Sequence, residues 1–373
     1  MKKIAILCDR INNIGGIDRV VNNLAKGLIE LGYDIDILYI DEGKYKSKYN
    51  IDRNINYINI AGKNKIQYIK NIRNYIKNTQ ADGIISAGRY MNSLLIQAKL
   101  LTRTNIKTIV TEHSNAREYC ETITNKVLKY KIKIATNIIK ILYKYSDNVV
   151  AVSKTLKNVM KKDFRKLKIS TIYNPVVDEE LFSKSKEIIK EYPYIDNNIP
   201  IIVSVGRLSS DKNPVLLLDA FSKAINKIDM NLVFIGDGPL RDVLNQKIKS
   251  LGLENRVFIY GYKDNPYPYI KNADLFVLSS KTEAFGIVLI ESLALGTNIV
   301  STKCEGAPNE LLNNGEFGII CEEDIDSLSN AIIKGLENDI VSDKYDEIIQ
   351  YIEQFKTKNV ANEYLKLLKS EFN

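Results

Sequence analysis

The sequence predicts an α/β chain of two doubly wound parallel-sheet domains. Two alternating series of short apolar strands and amphipathic helices carry this expectation, separated by a charged, proline-containing stretch at Phe182–Asn198. Length agrees, because 373 residues exceed what one hydrophobic core ordinarily serves. The expected division is 1–186, 187–342 and a C-terminal helical segment at 343–373 that packs back toward the first domain.

The first series opens with Lys3–Cys8, a glycine-containing loop and the helical pattern Arg19–Gly32, where Gly32 suits a C-cap. Strands follow at Asp34–Ile40, Tyr57–Ile60, Gly83–Ser86, Lys107–Thr111, Asn148–Val152 and Ile169–Ile172, with helices at Ile66–Asn78 and Asn125–Tyr145. In the second series the strands are Pro200–Val205, Leu232–Ile235, Arg256–Tyr260, Asp274–Leu278, Asn298–Thr302 and Gly318–Cys321. No internal repeat interrupts either series.

Composition limits the classes. Hydrophobic residues make up 45% and charged residues 26%, as in an ordinary globular protein. No run approaches the roughly 18 apolar residues that span a bilayer. The N-terminus reads as a first strand rather than a signal peptide. Cys8, Cys120, Cys304 and Cys321 lack ligand-like spacing and read as reduced thiols of a cytosolic protein. The sole histidine, His113, excludes a histidine metal cluster.

Charge is unevenly spread. Residues 1–186 carry 34 Lys and Arg against 17 Asp and Glu, whereas the remainder carries 19 against 28. A basic half suggests an anionic partner: a membrane surface, a polyphosphate or a nucleic acid. An AT-rich genome, which enriches Lys, Asn and Ile, would give the same excess.

Ligands of open parallel sheets bind beyond the carboxyl ends of the strands, and the unusual residues fall there. Gly15-Gly16 follows the first strand; a close backbone approach to phosphate or a plain glycine turn would each use such a pair. His113 ends a strand of the same domain. In the second domain Arg207 and Lys212 offer two cations suited to a diphosphate, though a solvated pair would look alike. Gly236-Asp237-Gly238-Pro239 follows the next strand. The stretch Leu275–Thr297 then passes from strand to polar loop to apolar helix, with Glu283 in the loop and Glu291 among apolar neighbours. A carboxylate buried there is costly unless it binds something. Two Asp-x-Asp pairs, Asp34/Asp36 and Asp324/Asp326, are poorly placed for a metal–diphosphate complex, and no metal is expected.

Taken together, Gly15-Gly16, Ile172-Tyr173-Asn174-Pro175, Gly206-Arg207-Leu208 with Lys212, Gly236-Asp237-Gly238-Pro239-Leu240, and Glu283-Ala284-Phe285-Gly286 followed by Glu291-Ser292-Leu293 resemble the retaining glycosyltransferases of family four, the glycosyl transferases group one. The resemblance spans nearly the whole chain. It implies a GT-B fold of two Rossmann-like domains facing across a cleft, the first binding acceptor and the second a nucleotide-sugar. It also implies that Glu283 and the amides of Ala284, Phe285, Gly286 and Ile287 hold the donor sugar. Glu291 would hold the ribose diol, while Arg207 and Lys212 replace a metal at the diphosphate. Gly15, Gly16 and Gly236 would line the donor, and His113 would lie near the reacting sugar.

Asn174-Pro175, in place of the more usual Asn-Gly, and Cys304–Glu310 are similar to enzymes of bacterial surface-polysaccharide assembly. That subgroup implies a UDP-sugar donor, no cofactor, and a glycan or polyprenyl-linked acceptor. It further implies a cytoplasmic enzyme with peripheral contact at the inner face of the membrane. A polyphosphate acceptor such as teichoic acid is the enzymatic alternative. A nucleic-acid-binding protein is the alternative from another class, but it gives no reason for Glu283 and Glu291, and no nucleic acid is expected.

Overall fold

In the computed structural model, the described residues are 2–11, 16–41, 55–114, 126–191, 193 and 199–369. They form two units, Met1–Val176 with Gln354–Asn373, and Val177–Glu353.

The first unit holds seven strands: β1 (Lys3–Leu7), β2 (Asp34–Tyr39), β3 (Ile55–Asn59), β4 (Gly83–Ala87), β5 (Lys107–Glu112), β6 (Asn148–Ala151) and β7 (Ile169–Thr171). They lie in the order β3-β2-β1-β4-β5-β6-β7, all parallel. Their near-continuous apolar runs reflect helices on both faces. Helices α1 (Gly16–Glu30), α2 (Lys65–Asn78), α3 (Arg89–Leu100), α4 (Lys126–Leu142) and α5 (Lys154–Asp163) connect them. Asn64 and Ser153 cap α2 and α5 with side-chain oxygens. Gly32, at φ 81°, ends α1 in the left-handed conformation.

The last helix, Thr357–Lys369, lies on α1 in this unit. A Cβ on Gly27 of α1 would stand 2.3 Å from the Thr357 carbonyl oxygen, so the helices approach as closely as glycine permits. Val360, Ala361, Tyr364, Leu365 and Leu368 complete the core that Val21, Leu24, Ala25 and Leu28 begin.

In the second unit the strands are β8 (Ile201–Val205), β9 (Asn231–Ile235), β10 (Val257–Gly261), β11 (Leu275–Leu278), β12 (Thr282–Glu283), β13 (Asn298–Thr302), β14 (Glu305–Gly306) and β15 (Ile319–Cys321). The main sheet runs β10-β9-β8-β11-β13-β15, and β12 pairs with β14 apart from it. Its helices include α6 (Glu179–Lys184), α7 (Pro214–Ala224), α8 (Arg241–Ser250), α9 (Tyr267–Lys271) and α10 (Ile287–Leu295). Both sheets thus reverse direction beside their first strand, at β1/β4 and at β8/β11. Such switch points open a crevice at the carboxyl ends.

The two boundaries differ from 186 and 343. The chain leaves the first unit at Val176 because α6 already packs with the second, where Asn265 Nδ2 donates to the Lys184 carbonyl at 2.9 Å. It returns only at Gln354, since the helix Tyr345–Ile352 packs against α10. The strands agree with the sequence pattern to within two residues, whereas α1 begins at Gly16, three residues before Arg19, and α4 ends at Leu142, three before Tyr145. The expected start of α4 at Asn125 and the position of Cys120 lie outside the described residues.

Candidate active site

The carboxyl ends of β8 and β11 bear two loops stitched together by hydrogen bonds. Ser279 Oγ donates to the carbonyls of Lys212 (3.0 Å) and Asn213 (3.1 Å), and the Lys281 amide donates to the Asp211 carbonyl at 2.8 Å. Across these loops the Lys212 ammonium and the Glu283 carboxylate form an ion pair, with side chains 29% and 15% exposed. Two charges that the sequence places 71 residues apart are thereby in direct contact.

Glycines allow the close approach. A Cβ on Gly236, at φ 145°, would fall 1.9 Å from the Gly206 carbonyl oxygen. One on Gly306, at φ 138°, would fall 1.7 Å from that of Glu283. The Ala307 amide donates to the same Glu283 oxygen at 3.1 Å, so the Gly306 turn fixes the Glu283 backbone. Arg207 stands exposed beyond β8.

After Glu283, Ala284 and the buried Phe285 lead into Gly286, which starts α10 in the left-handed conformation. Ile287 is the first residue of that helix, whose leading amides have no intrahelical acceptor and favour negative charge. Glu291 lies in the middle of α10 at 1% exposure, with the Tyr267 hydroxyl 3.5 Å from Oε1. It is buried along with Leu289, Ile290 and Leu293 of the same helix.

Of the remaining candidates, Gly15 lies outside the described residues, and Gly16 is the exposed first residue of α1, after β1. His113 follows β5 directly and is half-buried. Desolvation lowers its pKa from the ordinary 6.5 to about 4, so the imidazole is neutral at physiological pH. Three of the four Asp-x-Asp carboxylates are otherwise engaged. Asp36 is buried beneath Lys3, Asn56 and Tyr75, while Asp324 caps a helix and Asp326 pairs with Lys223 at 2.6 Å. Among the described residues no group of three or more His, Cys, Asp and Glu is arranged to hold a metal ion.

Sequence reasoning missed Tyr267, Ser279 and the turn at Gly306. The first two carry no local pattern. The Gly306 turn lies inside the noted Cys304–Glu310 stretch, but its pairing with Glu283 is a long-range fact.

Comparison with known proteins decides the family. The sequence model described as "Glycosyl transferases group 1" matches residues 185–355, and that described as "Glycosyltransferase Family 4" matches residues 14–180. The chain belongs to the group 1 glycosyltransferases. Among relatives of this glycosyltransferase are two Campylobacter jejuni proteins. One is an N-acetylgalactosamine-N,N'-diacetylbacillosaminyl-diphospho-undecaprenol 4-alpha-N-acetylgalactosaminyltransferase, 32% identical over 62% of this chain and 60% of its own length. The other is an alpha-1,4-N-acetyl-D-galactosaminyltransferase acting on a diphospho-undecaprenol-linked glycan, 25% identical over 99% of this chain and 98% of its own. Anabaena HepE, solved in complex with UDP, shares the GT-B fold. It superposes with a TM-score of 0.81 at 19% identity, covering 100% of both chains.

Proposed function

We propose that this glycosyltransferase is a retaining enzyme moving a hexose or N-acetylhexosamine from a UDP-sugar to a hydroxyl of a lipid-linked glycan during assembly of a bacterial surface polysaccharide. The observation that carries the reading is the Lys212–Glu283 pair at the β8/β11 switch point, with Glu291 buried in the adjoining helix. Lys212 and Arg207 neutralise charge growing on the leaving diphosphate, which removes the need for a metal there. Glu283 accepts hydrogen bonds from sugar hydroxyls and Glu291 from the ribose diol, for which a carboxylate has enough lone pairs. The amides around Phe285–Ile287 assist Glu283 at the donor sugar.

In the reaction the bond from the anomeric carbon to the diphosphate oxygen breaks, and its electron pair leaves with the phosphate. The acceptor oxygen bonds to the same face of that carbon and passes its proton to the departing phosphate oxygen. We assign neutral His113 a hydrogen-bonding role toward the reacting sugar, as a donor or acceptor without charge.

The lipid-linked acceptor rests on the activities of the two Campylobacter relatives and on one feature of the first unit. On α4 and the turn after it, Tyr130, Ile134, Ile138, Ile141 and Tyr145 are each 45–67% exposed. Intervals of three and four residues put them on one stripe. The sequence adds Lys126, Lys129, Lys131 and Lys133 to the same helix. Such a stripe suits an anionic membrane surface. Among the described residues no helix is long and apolar enough to cross a membrane.

Differential scanning fluorimetry with UDP-, GDP- and ADP-sugars tests the donor. Stabilisation by UDP-sugars is expected, and its loss in Glu291→Ala. A response to GDP- or ADP-sugars alone would overturn the assignment. Activity surviving EDTA is expected; its abolition would overturn the metal-free mechanism.

A further inference from the structure

Glu112, the last residue of β5, immediately precedes His113 and is fully buried. Groups from two other elements converge on its carboxylate. Arg89, the first residue of α3 just beyond β4, brings Nε to 3.2 and 3.4 Å from the two oxygens. The Tyr143 hydroxyl, in the turn after α4, donates to Oε1. Asn92 Nδ2 holds that hydroxyl from behind at 2.8 Å and also donates to the Thr111 carbonyl at 3.0 Å, while Phe164 stacks on the Tyr143 ring at 5.6 Å. Burial, reinforced by the Glu112 carboxylate, pushes the Tyr143 hydroxyl well above its ordinary pKa and keeps it a proton donor. Burial alone would disfavour the Arg89 charge, but Glu112 outweighs it and the guanidinium is held firmly protonated.

A buried ion pair is a poor source of net stability, because an apolar trio of the same volume packs there at lower desolvation cost. What such a network supplies is fixed geometry, and here it fixes the end of β5. Glu112 lies in register with Ala151 of β6, and its carbonyl accepts from the Val152 amide at 3.4 Å. The next residue along is His113. We propose that Arg89, Glu112 and Tyr143 are positioning residues for His113, clamping the strand end from which the imidazole departs. This rests on the role given to His113 above.

A double-mutant cycle tests it, read as kcat for UDP release from UDP-glucose, UDP-N-acetylglucosamine or UDP-N-acetylgalactosamine, whichever the wild type turns over fastest. Glu112→Gln is expected to lower kcat about tenfold or more with donor KM within about twofold, the signature of misplacement rather than lost binding. In a His113→Ala background the same change is expected to cost less than about twofold, because residues acting through one another are not additive. Tyr143→Phe keeps the stack on Phe164, and it carries the same cycle if Glu112→Gln does not fold. Equal losses with and without His113, tracking a fall in Tm, would overturn the proposal and leave the network structural. Wild-type kcat in His113→Ala would overturn it too. In that case inactivity of Glu283→Ala would still leave the transferase reading intact.

Discussion

Lys212 and Glu283 neutralise each other across the loops that follow β8 and β11. In the proposed reaction both acquire new partners, the ammonium a diphosphate and the carboxylate a row of sugar hydroxyls. Each is then an electrostatic or hydrogen-bonding group aimed at the transition state. Lys212→Ala and Glu283→Ala should each lower kcat/KM for UDP-sugar turnover by roughly a hundredfold. Initial rates on the folded variants check this; losses under about threefold in both would remove the pair from the site.

The glycine contacts give a steric prediction. Gly236→Ala and Gly306→Ala would drive a methyl into a carbonyl oxygen at 1.9 and 1.7 Å, at positive φ in both cases. Both should lose a few kcal/mol of stability or shift the loop enough to weaken the response to UDP-sugars. Gly252→Ala is the control. It has φ 66° but nothing within 4 Å, so its cost should stay near 1–2 kcal/mol. Thermal unfolding of the three variants checks the order.

His113 is the only histidine, so its titration can be followed by proton NMR without assignment. The midpoint should fall near 4 in the folded protein and near 6.5 in the unfolded chain. The unfolded chain therefore takes up a proton as pH drops below about 6.5, while the folded protein does not until about 4. Stability from this group is present above 6.5 and lost between 6.5 and 4, with a ceiling of about 3 kcal/mol. His113→Gln should flatten that part of the stability–pH curve. A folded midpoint at 6.5 would refute the desolvated setting.

For α4, sedimentation with vesicles containing about a third anionic lipid should carry the protein down, and neutral vesicles should not. Ile138→Glu with Ile141→Glu, both more than half exposed, should abolish recovery in the pellet without lowering Tm. Equal pelleting of the double variant would dismiss the stripe as the contact surface.

Much of this architecture was legible in the sequence because parallel strands announce themselves as apolar runs at regular intervals. Glu291 was legible for the opposite reason, as a charge where the helical pattern calls for an apolar residue. Lys212 and Glu283 could each be located at a strand end, but their contact could not, since it arises only when β8 and β11 become neighbours. Glu112 was hidden by its own burial. Beside His113 it resembles any polar residue closing a strand, and its partners Arg89 and Tyr143 are 23 and 31 residues distant. The boundary near Val176 was obscured because α6 is short and charged and resembles linker.

The seating of the last helix on α1 bears on how the protein is made. Gly27 and its apolar neighbours are translated before the whole of the second unit, and the helix that covers them only after it. The first unit must therefore wait, with part of its core open to water, until the second has been synthesised and can fold. Nascent chains halted before Thr357 would expose the Val21–Leu28 face of α1 to chaperones and proteases.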